Sequence, residues 1–433
     1  MKSLSVFQII LLSVFGALAI SGMLIFALFV GAGAGNAIGP ITIWGTLEPN
    51  AFAVVLRQAA ENDGRLSQVT YVQKDPATFE TDLTEALASG SGPDLFLLRQ
   101  DYAIRDKGKV VPFPYSFLSE TKFKDTFVEA ANPYLAPEGI LGIPLFVDPL
   151  ILYWNRDILA ATGFAKPPEY WEDVPDFAKK VTKKDDSGTV VRSAVSFGEY
   201  TNVDHAKDII TLLIQQAGGS ITQEDSTGRL VPSLSLRVAG SPSQAAESAL
   251  RFYTEFADPS KVHYSWNRSL PSSRAEFSAG DLALYLGYGS EATSLVRGNP
   301  NLNFAGAAMP QSRVGTRATN AAHVYALAVS RTSRNPQGAM TIAALMADAT
   351  VSRALTVAID IPSARRDVLS ETLEGENVLF EGQALIARSW IDPDPEKTDG
   401  VFRGMIESVT TGSARLTEAI GRANQELAQV IGQ

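Results

Sequence analysis

The chain has 433 residues, a formal net charge of −10, 45% apolar and 19% charged residues, 34 glycines and 23 prolines. Such a length asks for two lobes of roughly 150–200 residues, and the composition excludes disorder and collagen-like repeats. The acidic balance, with no Lys/Arg run interleaved with aromatics, argues against nucleic acid as a partner, and the absence of cysteine removes disulfides, thiolate metal sites and a lipidated anchor.

From Val6 to Val30 there is no charged residue, and Lys2 is the only basic residue ahead of the run. That is long enough to span roughly 30 Å of hydrocarbon in the orientation that leaves the rest of the chain outside. Residues 1–30 are therefore expected to form an uncleaved, single-pass transmembrane anchor, followed by a small-residue linker at 31–40. The competing reading is a secreted or periplasmic protein freed by cleavage. Ala32-Gly33-Ala34 is a small-x-small site of the kind signal peptidase accepts, and Gly16 and Gly22 weaken a helix.

Beyond Pro40 strands alternate with helices. Ile41–Trp44 is a short β-branched strand, Phe52, Val55, Leu56 and Ala59 fall on one helical face, and Val69–Val72 reads as the next strand. Phe79, Leu83, Ala86 and Leu87 make a second helical stripe that ends at Gly90, before the apolar run Asp94–Leu98. This β-α-β-α-β order predicts a parallel sheet whose crevice lies beyond the carboxyl ends of its strands, near residues 44–48, 73–75 and 99–101. Residues 139–157 then form one extended run with Asp148-Pro149 at its middle, which suits a strand crossing between two bodies.

That run, Gly139 through Asp157 with Phe146-Val147-Asp148-Pro149 at its centre, resembles the extracellular solute-binding proteins of carbohydrate ABC transporters, relatives of maltose-binding protein. Gly163-Phe164 and Pro167-Pro168-Glu169-Tyr170-Trp171-Glu172-Asp173 continue the likeness. So do Leu87–Leu95, Phe277-Ser278-Ala279-Gly280-Asp281-Leu282-Ala283, and Ala328–Ser330 leading to Asn335-Pro336-Gln337-Gly338-Ala339. The resemblance implies an α/β, two-lobed periplasmic-binding-protein-like fold with a hinge of crossing segments, here preceded by the transmembrane helix. Lobe 1 is expected at 41–147 plus 326–365 and lobe 2 at 148–325 plus 366–433. Asp148, Pro149 and Tyr325 mark the hinge, with a further crossing near Ile361–Arg365. The implied function is capture of a carbohydrate, an oligosaccharide, and its delivery to the permease subunits by a monomer without cofactor, metal or catalysis. The chain departs from many relatives in lacking the cysteine on which they are lipidated.

Carried over by position, the expected ligand carboxylates are Glu48, Asp101 and Asp148, since each accepts several hydroxyl hydrogen bonds. Rings stack on the apolar face of a pyranose, and Trp44, Tyr200, Trp266 and Tyr288 are the expected platforms. Asn202 and Ser290 complete the set. Trp154 and Trp171 are assigned to packing and Trp390 to neither role.

Other patterns carry less. Gly287-x-Gly289-x-x-Ala292 follows a strand but has no Asp or Glu between Glu291 and Asp348, so it reads as a turn offering Ser290 to a sugar, not as a dinucleotide site. Asp392-Pro393-Asp394-Pro395-Glu396 reads as a solvated loop, and His205, His263 and His323 as structural. The alternatives are a binder of a peptide or polyamine and a carbohydrate-active hydrolase with two distant carboxylates.

Overall fold

A computed structural model describes residues 38–236, 245–313, 315, 317–371 and 377–432. The expected anchor at 1–30 lies outside the described residues. Among the described residues no single helix is long and apolar enough to cross a membrane.

The β-α-β-α-β unit forms as its periodicity dictates. Strand Ile41–Gly45 pairs in parallel with Val69–Gln73 on one side and Leu95–Arg99 on the other. Helix Pro49–Asn62 buries Phe52, Val55, Leu56 and Ala59, and helix Phe79–Ser89 buries Phe79, Leu83 and Ala86. The second helix stops at Gly90, whose φ of 71° is left-handed and suits a residue without Cβ.

Strand Ile143–Asn155 links the two lobes. Its first half pairs antiparallel with Asn320–Ser330, from Ile143 opposite Leu327 to Pro149 opposite Ala322. Its second half pairs with Leu282–Tyr288 and Phe304–Ala307. One sheet therefore runs through both lobes in the order 69–73, 41–45, 95–99, 320–330, 143–155, 282–288, 190–195 and 183–184. Asn155 ends the long strand by accepting the N–H groups of Asp157 and Ile158, so the extended run stops at Asn155 and Arg156–Ala161 is helical.

Two cores form, one on each side of the changeover. Val147 belongs to the first with Phe52, Phe96, Tyr134 and Leu327, and Leu150 to the second with Phe197, Tyr253, Tyr285 and Phe402. The chain thus changes lobes at Asp148-Pro149, where Pro149 has no N–H to commit to either ladder. On Asn320–Ser330 the change falls between Ala321 and Ala322, three residues before Tyr325. Tyr325 instead marks a register shift, pairing with Phe146 while Ala326 pairs with Pro144, and such a bulge bends the strand.

The third crossing is displaced. Ile361–Arg365 lies along the long strand inside the first lobe, with the Val147 N–H donating to Pro362 O at 2.8 Å and the Ala364 N–H to Leu145 O at 3.1 Å. Ala384 and Ala387 still belong to the first core, whereas Val401 and Phe402 belong to the second. Helix Asn377–Leu385 touches both, since Leu379 and Phe380 pack on the second core. A helix's apolar face shows in the sequence, but which of two lobes receives it does not.

Candidate functional site

A cleft of about 790 Å³ opens at the changeover. Carboxyl ends of strands supply much of its wall, as parallel units require. Arg99 ends strand Leu95–Arg99, with Asp101 and Tyr102 just beyond it, and Ser290 and Glu291 follow Leu282–Tyr288. His205 to Asp208 enter from the start of helix Ala206–Gln216, and Glu396, Asp399 and Arg403 from helix Pro395–Thr410.

Of the residues expected at the ligand, Asp101, Asp148, Tyr200, Tyr288 and Ser290 line this cleft, together with the expected hinge residue Tyr325. Asp101 is gripped by Arg99 through two hydrogen bonds of 2.7 Å. Burial alone would raise its carboxyl, but the guanidinium outweighs burial and holds it at about 2. Asp148 is 4% exposed and accepts the Ser290 N–H at 3.0 Å. Burial dominates there and pushes its carboxyl up to about 6. Gly289 permits the approach, because a Cβ on it would sit 3.3 Å from Asp148 Oδ1. The Tyr200 hydroxyl donates to Asp399 at 2.5 Å, and Tyr325 stacks on Phe146 with centroids 4.8 Å apart.

Four expected residues lie elsewhere. Trp266 is fully buried in the second core. Its loop is drawn inward because the Ser265 hydroxyl accepts the Ala194 and Val195 N–H groups, docking the loop on strand Val190–Val195. The Trp266 indole N–H then donates to Asn202 at 3.1 Å. Asn202 is a structural clamp for the same reason, its amide donating to the carbonyls of Asn267 and Leu270 at 2.9 Å. Trp44 alternates with the buried Ile41 and Ile43, so it lies half-buried on the other face, 3.8 Å beneath the Lys74 ammonium and outside the cleft wall. Glu48 is exposed at the start of helix Pro49–Asn62 and makes no capping bond.

The remaining wall was not expected. Glu291 gathers the Tyr288 N–H at 2.8 Å, the Tyr285 hydroxyl at 2.6 Å and His205 Nε2 at 2.6 Å. Burial opposes charge on His205, but Glu291 overcomes it and holds the imidazole above its ordinary value. His323 stacks on Tyr288 with centroids 4.1 Å apart and shares a 3.0 Å hydrogen bond with its hydroxyl; burial, then Arg99, push it down to about 4. Two of the three histidines are thus in the cleft wall. Asp392, expected in a solvated loop, is 2% exposed and meets Lys207 Nζ at 2.6 Å and Thr398 Oγ1 at 2.9 Å. Trp390 meets Phe402 edge-on and lines a small cavity that shares Lys207, Asp208 and His323 with the cleft. One signal existed for Arg99: it ends the third strand, where the crevice was expected.

The family model for bacterial extracellular solute-binding proteins matches residues 58–351. Among solved structures, the cyclic α-maltosyl-1,6-maltose binding protein from Arthrobacter globiformis is 14% identical with a TM-score of 0.74, covering 91% of this chain and 99% of that one. An ABC transporter solute-binding protein from Thermotoga lettingae bound with α-D-tagatose is 18% identical with a TM-score of 0.68, covering 91% and 100%. The maltose/maltodextrin-binding domain from Bdellovibrio bacteriovorus bound to maltotriose is 16% identical with a TM-score of 0.66, also covering 91% and 100%.

Proposed function

Because the chain belongs to the bacterial extracellular solute-binding protein family, we propose that it is the substrate-binding component of an ABC importer, enclosing an oligosaccharide between its lobes and delivering it to the permease subunits. The observation that carries this reading is the cleft itself: about 790 Å³ at the hinge, walled by tyrosines and carboxylates. Rings and charged acceptors together suit a ligand with apolar faces and hydroxyl edges. In this reading Asp101, Asp148 and Ser290 take hydroxyls, while Tyr200 and Tyr288 supply ring surface. The sugars bound by the similar proteins from A. globiformis, T. lettingae and B. bacteriovorus support the same class.

Closure is by hinge bending about Asp148-Pro149 and its neighbouring strands. Arg105 Nη1 reaches Glu396 Oε1 at 2.8 Å, joining the first lobe to the second at the cleft's edge. A thermal-shift screen against neutral and charged oligosaccharides tests the reading. A ligand at 100 times its Kd adds about 2.7 kcal/mol, and scattering then shows a smaller radius of gyration. Stabilisation by peptides or polyamines alone, or release of shorter sugars during incubation, would replace this reading with another.

The domain acts as a monomer held to the membrane by residues 6–30, whose apolar run is the support for an anchor. Fractionation of cells making the full chain places it in the membrane pellet. A soluble form whose N-terminus begins near Gly35 or Ala37 would instead identify the run as a cleaved signal.

A further inference from the structure

We propose that the carbohydrate taken by this cleft carries a protonated amine, as an amino sugar does, received by the carboxylates of Asp148 and Asp208 beside Tyr288. The inference rests on the carbohydrate reading above and names its ligand class.

Charges in the cleft wall are unevenly paired. Each lysine and arginine of the wall already faces a carboxylate: Arg99 meets Asp101 at 2.7 Å, Lys207 meets Asp392 at 2.6 Å, Arg403 meets Asp399 at 3.0 Å, and Arg274 Nε lies 3.8 Å from Glu291. The converse does not hold for two of the acids. Asp148 is 4% exposed and is held by Ser290, with no lysine or arginine ion pair among the described residues. Asp208 meets the His323 ring at 4.0 Å. That ring is neutral at pH 7, because burial and Arg99 push it down to about 4. His205 also bears on Asp148 and Asp208, but its Nε2 is engaged by Glu291 at 2.6 Å.

His323 joins the two acids to Tyr288: it stacks on that ring with centroids 4.1 Å apart, lies 4.0 Å from Asp208 and stands opposite Asp148 in the sheet register. A carboxylate out of water without a directly paired cation is costly, and the rise of Asp148 to about 6, driven first by burial, reflects that cost. A neutral sugar leaves it in place. An acidic sugar adds to it, since no wall lysine or arginine is free to receive it among the described residues. An ammonium group offsets it through charge-assisted hydrogen bonds, which are shorter and stronger than neutral ones.

Titration calorimetry on the full-length chain in detergent at pH 7 tests this with matched saccharides: chitobiose against its di-N-acetyl form and cellobiose, and acarbose against maltotetraose. The amine-bearing member of at least one series is expected to bind roughly tenfold tighter or better, a difference of about 1.4 kcal/mol. In Asp208→Asn, and separately in Asp148→Asn, that preference falls toward unity while the melting temperature without ligand shows the fold retained. Equal or tighter binding of the neutral members, or a preference that survives both substitutions, overturns the amine inference and leaves the carbohydrate reading standing. Binding of spermidine with no binding of any saccharide overturns the carbohydrate reading instead. No binding by any of these probes counts against both.

Discussion

Replacing Trp266 with alanine lowers the stability of the second lobe by about 3–5 kcal/mol, the cost of emptying a large buried aromatic site. The ring is fully buried among the second core's side chains, and its N–H is committed to Asn202. The substitution therefore opens a cavity and also strips a donor from an amide that clamps Asn267 and Leu270. Affinity of the protein that remains folded changes little, because the ring is absent from the cleft wall. Urea unfolding gives the first quantity and calorimetry with a bound saccharide the second. An unchanged midpoint with a large loss of affinity would return the ring to the cleft.

Lys207→Met destabilises the protein by about 3–5 kcal/mol at pH 7.5, the penalty for leaving one member of a buried ion pair alone. Asp392 is the member left behind, 2% exposed and beyond reach of bulk water. In the native protein burial already outweighs Lys207 and raises Asp392 to about 6. A carboxyl raised above its unfolded value of about 3.9 contributes stability that is complete below that pH and is lost as pH climbs through the folded value. Without the ammonium the folded value rises further, so the deficit is smallest near pH 4 and grows through pH 6 and above. Melting temperatures of both proteins from pH 4 to 8 measure it. A deficit independent of pH would mean that the lysine's stem, not its charge, matters.

Asp392 and Trp266 also show why the site was only half legible. Both stand in polar, turn-rich sequence that reads as solvated loop. Asp392 is buried because Lys207, 185 positions away, supplies its counter-charge, and Trp266 because Ser265 pairs with a strand some 70 positions earlier. His205, at the start of helix Ala206–Gln216, lies 86 positions before Glu291 and meets it only when that helix start packs beside the end of strand Leu282–Tyr288. Local pattern cannot report such meetings.

What local order does carry was readable. Apolar spacing in residues 41–98 dictates alternating strands and helices, and that alternation puts a crevice at the strand ends where Arg99 and Asp101 stand. Asp148-Pro149 inside an apolar run dictates a break between two bodies, because proline lacks the ladder donor and a carboxylate resists burial in either core. The sequence by itself thus determined the fold class, the first crossing and the acidic and tyrosine residues nearest to it. The tertiary structure alone decided the lobe of residues 366–371 and 377–387, the burial of Trp266, and which carboxylates keep a cation. These depend on contacts between segments far apart in the chain, whose free energies no single segment encodes.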